Sequence, residues 1–382
     1  MRKGMLKSLS VIFALIFVML LTSCGDFIDS VVSRLEELET AETVQTEKET
    51  DKETEKQENV IPFSYAPELV PYTLPSETFS DPIEEEASKI IDGAICKAIS
   101  CINAMKDDRH SSKTSAYEED PNGFLSSLDA VTRNAYSSVC SKAEKLETFT
   151  IRKEDFQGDL KKGFFSLNEP MQFCNPFVNS FAMLNSETRG ETDPKTGDIV
   201  SVYKSLSLDY FDPYKDQNAS VSQEKADIKK IEHDVSLFEH IIKRIVRFMP
   251  KNMSAYDKYY YLSVVVTEQA SYDQRPDNCY TAFGALVTGR AVCEGYSTAF
   301  ALLCKEADLY CAYRMSRTHV WNMVKLEDGI YNVDLTWADE YEQNTYNWYR
   351  YFVRTDIQSS DTGHEPVRGV AGTGTGSVNT YT

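Results

Sequence analysis

Cys293, His319 and Asp334 are the residues of this chain whose types and spacing could do chemistry. Cys293 stands in GRAVCEGYS, where a turn gives way to the apolar run of CEGYSTAFALLCKEADLY, which reads as a largely buried helix. Packing alone could explain a cysteine there, because free cysteine is among the most buried residue types. A helix N-terminus also stabilises a thiolate, and its free N–H groups can donate to a developing oxyanion. A thiolate needs a base, and the base needs a group to orient it. Downstream, THVWNMVKL and IYNVDLTWAD read as two strands around a turn at Asp328-Gly329. His319, Trp321 and Met323 share one face of the first strand; Asn332, Asp334 and Thr336 share one face of the second. A buried aspartate inside a strand needs a partner, and His319 is the obvious one. A flat hairpin with that turn sets Asp334 opposite Met323, leaving His319 four residues away, roughly 13 Å at ~3.3 Å per residue. Coiling or a bulge must close that gap.

GRAVCEGYSTAFALL, THVWNMV and YNVDLTW together resemble the transglutaminase-like superfamily, whose core is the papain-like cysteine fold. The family places G-x-x-V-C-x-G-Y at a helix start, H-x-W-N on one strand and D-x-T on the next. The match is close from Tyr256 to Asp339 and is expected to extend through YRYFVRTD as a further strand. The resemblance implies an α+β fold with a nucleophile helix packed on an antiparallel sheet. It also implies a triad of Cys293, His319 and Asp334 attacking a peptide or glutamine-type amide through a thioester acyl-enzyme. Hydrolysis is favoured over amine transfer, and no EF-hand loop for calcium is present in the sequence. No cofactor and no metal are expected. Trp337 is expected to shield the His–Asp pair, and Trp321 serves equally as cleft wall or core. Tyr272 lies where some members place an oxyanion-side aromatic, although a plain helix-end tyrosine is the favoured reading.

Other candidates are weaker. His233 and His240 share a helix face flanked by Glu232 and Glu239, but no third ligand is evident, so a solvated polar face is expected. His364 in TGHEPV reads as a loop histidine that could line the cleft. Apart from Cys24 and Cys293, seven cysteines remain, and Cys304 and Cys311 read as buried thiols. No CxxC occurs, which argues against a zinc ribbon or thioredoxin-type site.

The elements that must position these residues occupy the C-terminal part of a chain with 40 basic and 59 acidic residues, a formal charge of −19. That excess argues against nucleic acid and against a polybasic lipid contact. The first segment has Arg2, Lys3 and Lys7 followed by an apolar run from Leu9 to Leu21, the layout of a secretory signal. It ends in Leu21-Thr22-Ser23-Cys24, which resembles the bacterial lipobox and implies cleavage before a lipidated Cys24; an uncleaved anchor helix is the alternative.

The expected organisation is a signal peptide over 1–23 and an acidic, Pro-rich disordered tether over 24–83. A helix-rich region over 84–250, a catalytic core over 251–366 and a flexible tail over 367–382 follow. Helices are expected around Ile90–Ile102, Leu125–Leu146, the run ending at Pro250, and after Ser254. A strand over 198–211 should bury Val200, Val202, Leu206 and Leu208. The expected protein is lipid-anchored outside the cytoplasm, with a protein or peptide substrate in the cell envelope. Two other classes remain: a non-catalytic lipoprotein binding peptide or wall fragments in the same cleft, and a structural envelope protein.

Overall fold

A computed structural model describes residues 69–105, 116–143, 145, 147, 149–211, 227–341, 345–360 and 364–374. The expected signal segment, Cys24 and most of the tether lie outside them. Among the described residues, 150–161 and 186–206 form one compact unit and the remainder forms another.

The smaller unit holds most of a three-stranded sheet built from β1 (Phe149–Arg152), β2 (Ala182–Thr192) and β3 (Ile199–Tyr210), in the order β1–β3–β2. The expected apolar face of β3 holds only in its C-terminal half. Leu206 and Leu208 are buried, whereas Val200 is exposed and Val202 only partly covered.

In the larger unit, helix α1 (Pro82–Ala104) starts where the composition turns apolar. Asp81 caps it by accepting from the Ile83 amide, and Pro82 fills a position that needs no amide hydrogen. Its buried stripe runs Ile91, Ala94, Ile95, Ala98 and Ile99. Helix α2 (Ile228–Arg247) is capped by Asp227 and buries Phe238, Ile241, Ile242 and Ile245. Helix α3 (Ala255–Gln269) opens with a capping box in which Ser254 and Asp257 satisfy each other's backbone. Helix α1 packs against both α2 and α3, and α3 also packs against helix α4 (Cys293–Glu306). Covered from two sides, α3 is buried from Tyr259 to Thr267. Arg244 of α2 is buried but paired, with Nε 2.5 Å from Asp92 and a further nitrogen 2.8 Å from Glu77.

Helix α4 lies against a four-stranded antiparallel sheet of order β8–β7–β6–β9. Its strands are β6 (Cys311–Met315), β7 (Val320–Leu326), β8 (Gly329–Val333) and β9 (Arg368–Gly369). This is the α+β arrangement implied by the sequence. Two local expectations are corrected. YRYFVRTD is not a strand: Val353 has φ +52°, and only Arg354 bridges to Asn332. The tail is not loose at its start: Arg368 and Gly369 pair with β6, and the Thr373 and Gly374 amides donate to the Ile330 carbonyl at 3.0 and 3.1 Å. Backbone donors seated on a sheet have partners that a Gly/Thr-rich composition does not reveal.

Candidate active site

Cys293 is the first residue of α4, after an extended Val292. The approach to it is pinned. Gly289 adopts φ +71°, a left-handed turn suited to glycine. The two-residue strands β4 (Ser271–Tyr272) and β5 (Arg290–Ala291) then run in parallel, and the Asp273 amide donates to the Ala291 carbonyl at 3.0 Å. Gly295 explains the glycine of CEGY: a Cβ there would lie 2.5 Å from the Cys279 carbonyl oxygen. One turn beyond Cys293, the Ser297 hydroxyl donates to the Val320 carbonyl at 3.1 Å, and Asn322 Nδ2 donates back to the Ser297 carbonyl at 3.1 Å. These bonds fix the height of the thiol against the start of β7, where His319 stands.

The hairpin register differs from expectation, and the difference removes the geometric difficulty. Met323 pairs with Asn332 and Leu326 with Gly329, so the connecting loop is Glu327-Asp328. Gly329 can pair as a strand residue because it lacks a side chain: a Cβ there would lie 2.4 Å from Gly374 Cα. Extending this register sets Asp334 opposite Trp321, two residues from His319 rather than four. Strand β8 also stops at Val333, and Asp334 becomes the N-cap of the short helix α5 (Leu335–Ala338). Its Oδ1 accepts from the Thr336 and Trp337 amides at 3.0 and 3.2 Å. Its Oδ2 lies 2.6 Å from His319 Nε2. Neither a bulge nor strong coiling is required.

The electrostatics follow from burial and partners. Burial by itself would lower the His319 pKa, but the Asp334 charge and hydrogen bond outweigh it, and the Cys293 sulfur adds to them. The result is raised to about 10. For Asp334, burial opposes ionisation, yet His319 and His364 hold its carboxyl well below the usual carboxylate range. With Nε2 committed to Asp334, Nδ1 is the His319 nitrogen left to face Cys293.

The aromatic candidates divide. The Trp337 ring stacks on His319 at 5.3 Å and is half-buried, so it covers part of the imidazole. Trp321 is 1% exposed, stacks on His319 at 5.8 Å, and donates from Nε1 to Asn332 at 2.8 Å; it is core behind the imidazole and not a cleft surface. Tyr272 is 52% exposed beside Ala291, two positions before Cys293, and its hydroxyl accepts from Gln274 at 2.9 Å. His233 and His240 lie in ion pairs with Asp234, Glu86 and Asp81.

The residue whose role the sequence did not indicate is His364. It is buried, and its Nε2 also lies 2.6 Å from Asp334 Oδ2. Its one sequence signal was being a histidine downstream of the motifs. The ligand atoms of His319, Asp334 and His364 lie within 4.8 Å of one another. Two 2.6 Å contacts to one oxygen are hydrogen-bond distances, shorter than the ~3 Å between ligands that share an ion through bonds of about 2 Å. The arrangement is therefore a hydrogen-bonded cluster. Cys101, Cys279, Cys304 and Cys311 are buried and outside any disulfide among the described residues. Among the described residues no helix is long and apolar enough to cross a membrane.

A comparison with curated proteins finds no match for this chain. Residues 243–351 match the family described as the transglutaminase-like superfamily. That segment begins inside α2, includes Cys293, His319 and Asp334, and stops short of His364. Residues 243–351 thus form a transglutaminase-like core, the family that the three motifs resemble.

Proposed function

We propose that this protein is a cysteine enzyme acting on peptide or glutamine-type amide bonds, with Cys293 as nucleophile, His319 as base and acid, and Asp334 as the group that holds the imidazole. The observation that carries this reading is the 2.6 Å contact from Asp334 to His319 Nε2, which leaves Nδ1 for the sulfur. In the proposed cycle the proton shared by Cys293 and His319 rests on Nδ1, and the sulfur attacks the amide carbonyl. Backbone N–H groups at the start of α4 donate to the oxyanion in this cycle. His319 then protonates the leaving amine as the C–N bond breaks, giving a thioester. Water, deprotonated by His319, attacks that thioester, the C–S bond breaks, and the sulfur is regenerated. Hydrolysis is the favoured outcome over transfer to an amine.

We further propose that the mature chain is lipidated on Cys24 and works outside the cytoplasm on an envelope protein or peptide. Mass spectrometry of the native N-terminus tests this: an intact Met1 removes it. The catalytic proposal is tested with a thiol-reactive probe near pH 6. Rapid labelling of Cys293 alone, abolished in Cys293→Ala and slowed in His319→Ala, is the expected result. Slow, uniform labelling of all thiols would indicate a binding cleft and not an enzyme.

A further inference from the structure

Among the described residues the Asp334 carboxylate has four hydrogen-bonding partners. Thr336 and Trp337 amides saturate Oδ1, and two imidazoles share Oδ2. The carboxyl is held ionised, so every partner must be a donor. Both histidines therefore carry a proton on Nε2. For His319 this leaves Nδ1 to face Cys293. For His364 it fixes a second N–H on the same oxygen, arriving from a different part of the chain.

His364 is also caged. The Trp337 ring lies 4.4 Å from it, the Trp321 ring 4.9 Å and edge-on, and the Tyr351 ring 6.2 Å away. Its own amide donates to the Ser359 carbonyl at 3.3 Å. A buried imidazole held on three sides by aromatic rings cannot rotate away from Asp334 without displacing Trp337, the ring that stacks on His319.

We propose that His364 is a positioning residue, a fourth member of the Cys293–His319–Asp334 arrangement that acts on the nucleophile through Asp334. It rests on the reading of Cys293 as the nucleophile given above. Two amide donors on Oδ1 fix the carboxylate plane only at one oxygen. The second imidazole fixes Oδ2, the oxygen that aligns His319. It also draws charge from Oδ2, which keeps the carboxylate ionised at lower pH. Among the described residues, the titratable groups near this carboxylate include His319 before β7, Cys293 on α4 beyond it, Tyr351, and His364 itself.

The test uses the full chain and iodoacetamide, reading the rate of Cys293 alkylation against pH. His364→Leu removes the donor, whereas His364→Gln keeps an N–H at similar reach. In the wild type Cys293 should alkylate rapidly near pH 6. His364→Leu should slow this about tenfold, the loss of one hydrogen bond to a charged group, and move the acid limb of the profile to higher pH. His364→Gln should recover most of the rate and return the limb. A packing role would leave the limb unmoved and would not distinguish Gln from Leu. Should His364→Leu fail to fold, nitrogen-15 spectra of the wild-type imidazoles still decide: His364 with an unprotonated Nε2 at neutral pH overturns the proposal. A reactive wild type with an indifferent His364→Leu overturns this inference alone. An unreactive Cys293 in the wild type overturns the enzyme reading and this role with it.

Discussion

Two histidines of this molecule each hold carboxylates at hydrogen-bond distance, and they differ in almost everything else. His233, on α2, lies 2.9 Å from Asp234 and 3.2 Å from Glu86, with 43% of its side chain exposed. His319 lies 2.6 Å from Asp334, with 14% exposed against a carboxylate only 2% exposed. Both imidazoles have raised pKa values, for His233 chiefly through its hydrogen bond to Asp234. Water competes for the His233 ring and for Glu86, 43% and 47% exposed, so that pair adds little. Around Asp334 water is replaced by Trp321, Trp337 and four donors. Contact distance alone does not separate a solvated ion pair from a built site. The number of partners each polar atom must satisfy does, because a buried charge without them is costly.

Breaking the carboxylate in each region should give the largest contrast. Asp334→Ala leaves two imidazoles and two amides without their acceptor, and a loss of about 3–5 kcal/mol is expected, the usual result of breaking one side of a buried pair. Glu86→Ala, beside His233, should cost about 0–1 kcal/mol. Urea unfolding of the two variants at pH 7 measures both. Equal losses would mean that the Asp334 cluster contributes no more than a surface pair.

The pH dependence sharpens the same contrast. His319 is raised from an unfolded value of about 6.5 to about 10 in the folded protein. A histidine raised in this way contributes stability that is complete below about 6.5 and lost as pH rises through about 10. Asp334, shifted the other way, contributes stability present above about 3.9 and lost as pH falls further. Urea midpoints should therefore decline from pH 7 to 10 in the wild type and decline less in His319→Gln. Parallel curves for the two proteins would show that the imidazole is not charged at neutral pH.

The sequence showed the two regions unequally. Helices α1, α2 and α3 were legible, the last with Ser254 at its start, because periodicity and capping are local properties, whereas the Asp81 and Asp227 caps of α1 and α2 were not read. Cys293 at a helix start, the hairpin, and Asp334 as a buried partner were legible because the motifs are short and ordered. The register was not. A glycine at position 329 reads as a turn residue, and only the approach of residues 373–374 explains why it pairs as a strand residue. His364 was not legible for a related reason. Its partner is 30 residues away, and no spacing rule links a loop histidine to a strand-end aspartate. YRYFVRTD has strand composition, yet its backbone turns at Val353, a tertiary choice that propensity does not encode.

A third carboxylate refines the comparison, because it is covered and, among the described residues, its hydrogen-bond partner is a neutral hydroxyl. Asp339, just beyond α5, accepts from the Tyr296 hydroxyl of α4 at 2.6 Å. Burial raises its pKa to about 6, the tyrosine only partly offsets that, and Glu268 and Glu340 push the same way. The sign is opposite to that of Asp334. A carboxyl that protonates more readily folded than unfolded penalises the folded state as it ionises. The penalty starts above about 3.9 and is complete above about 6. Asp339→Asn keeps an acceptor for Tyr296 and removes the charge. It should stabilise the protein by about 1–2 kcal/mol at pH 7.5 and by much less at pH 4.5. Asp334→Asn should destabilise at pH 7.5, because an amide there presents an N–H to a site filled with donors. Thermal melting of both variants at the two pH values measures this. If Asp339→Asn were destabilising at pH 7.5, the Tyr296 contact would be a charge-assisted bond strong enough to outweigh burial, and Asp339 would belong with Asp334.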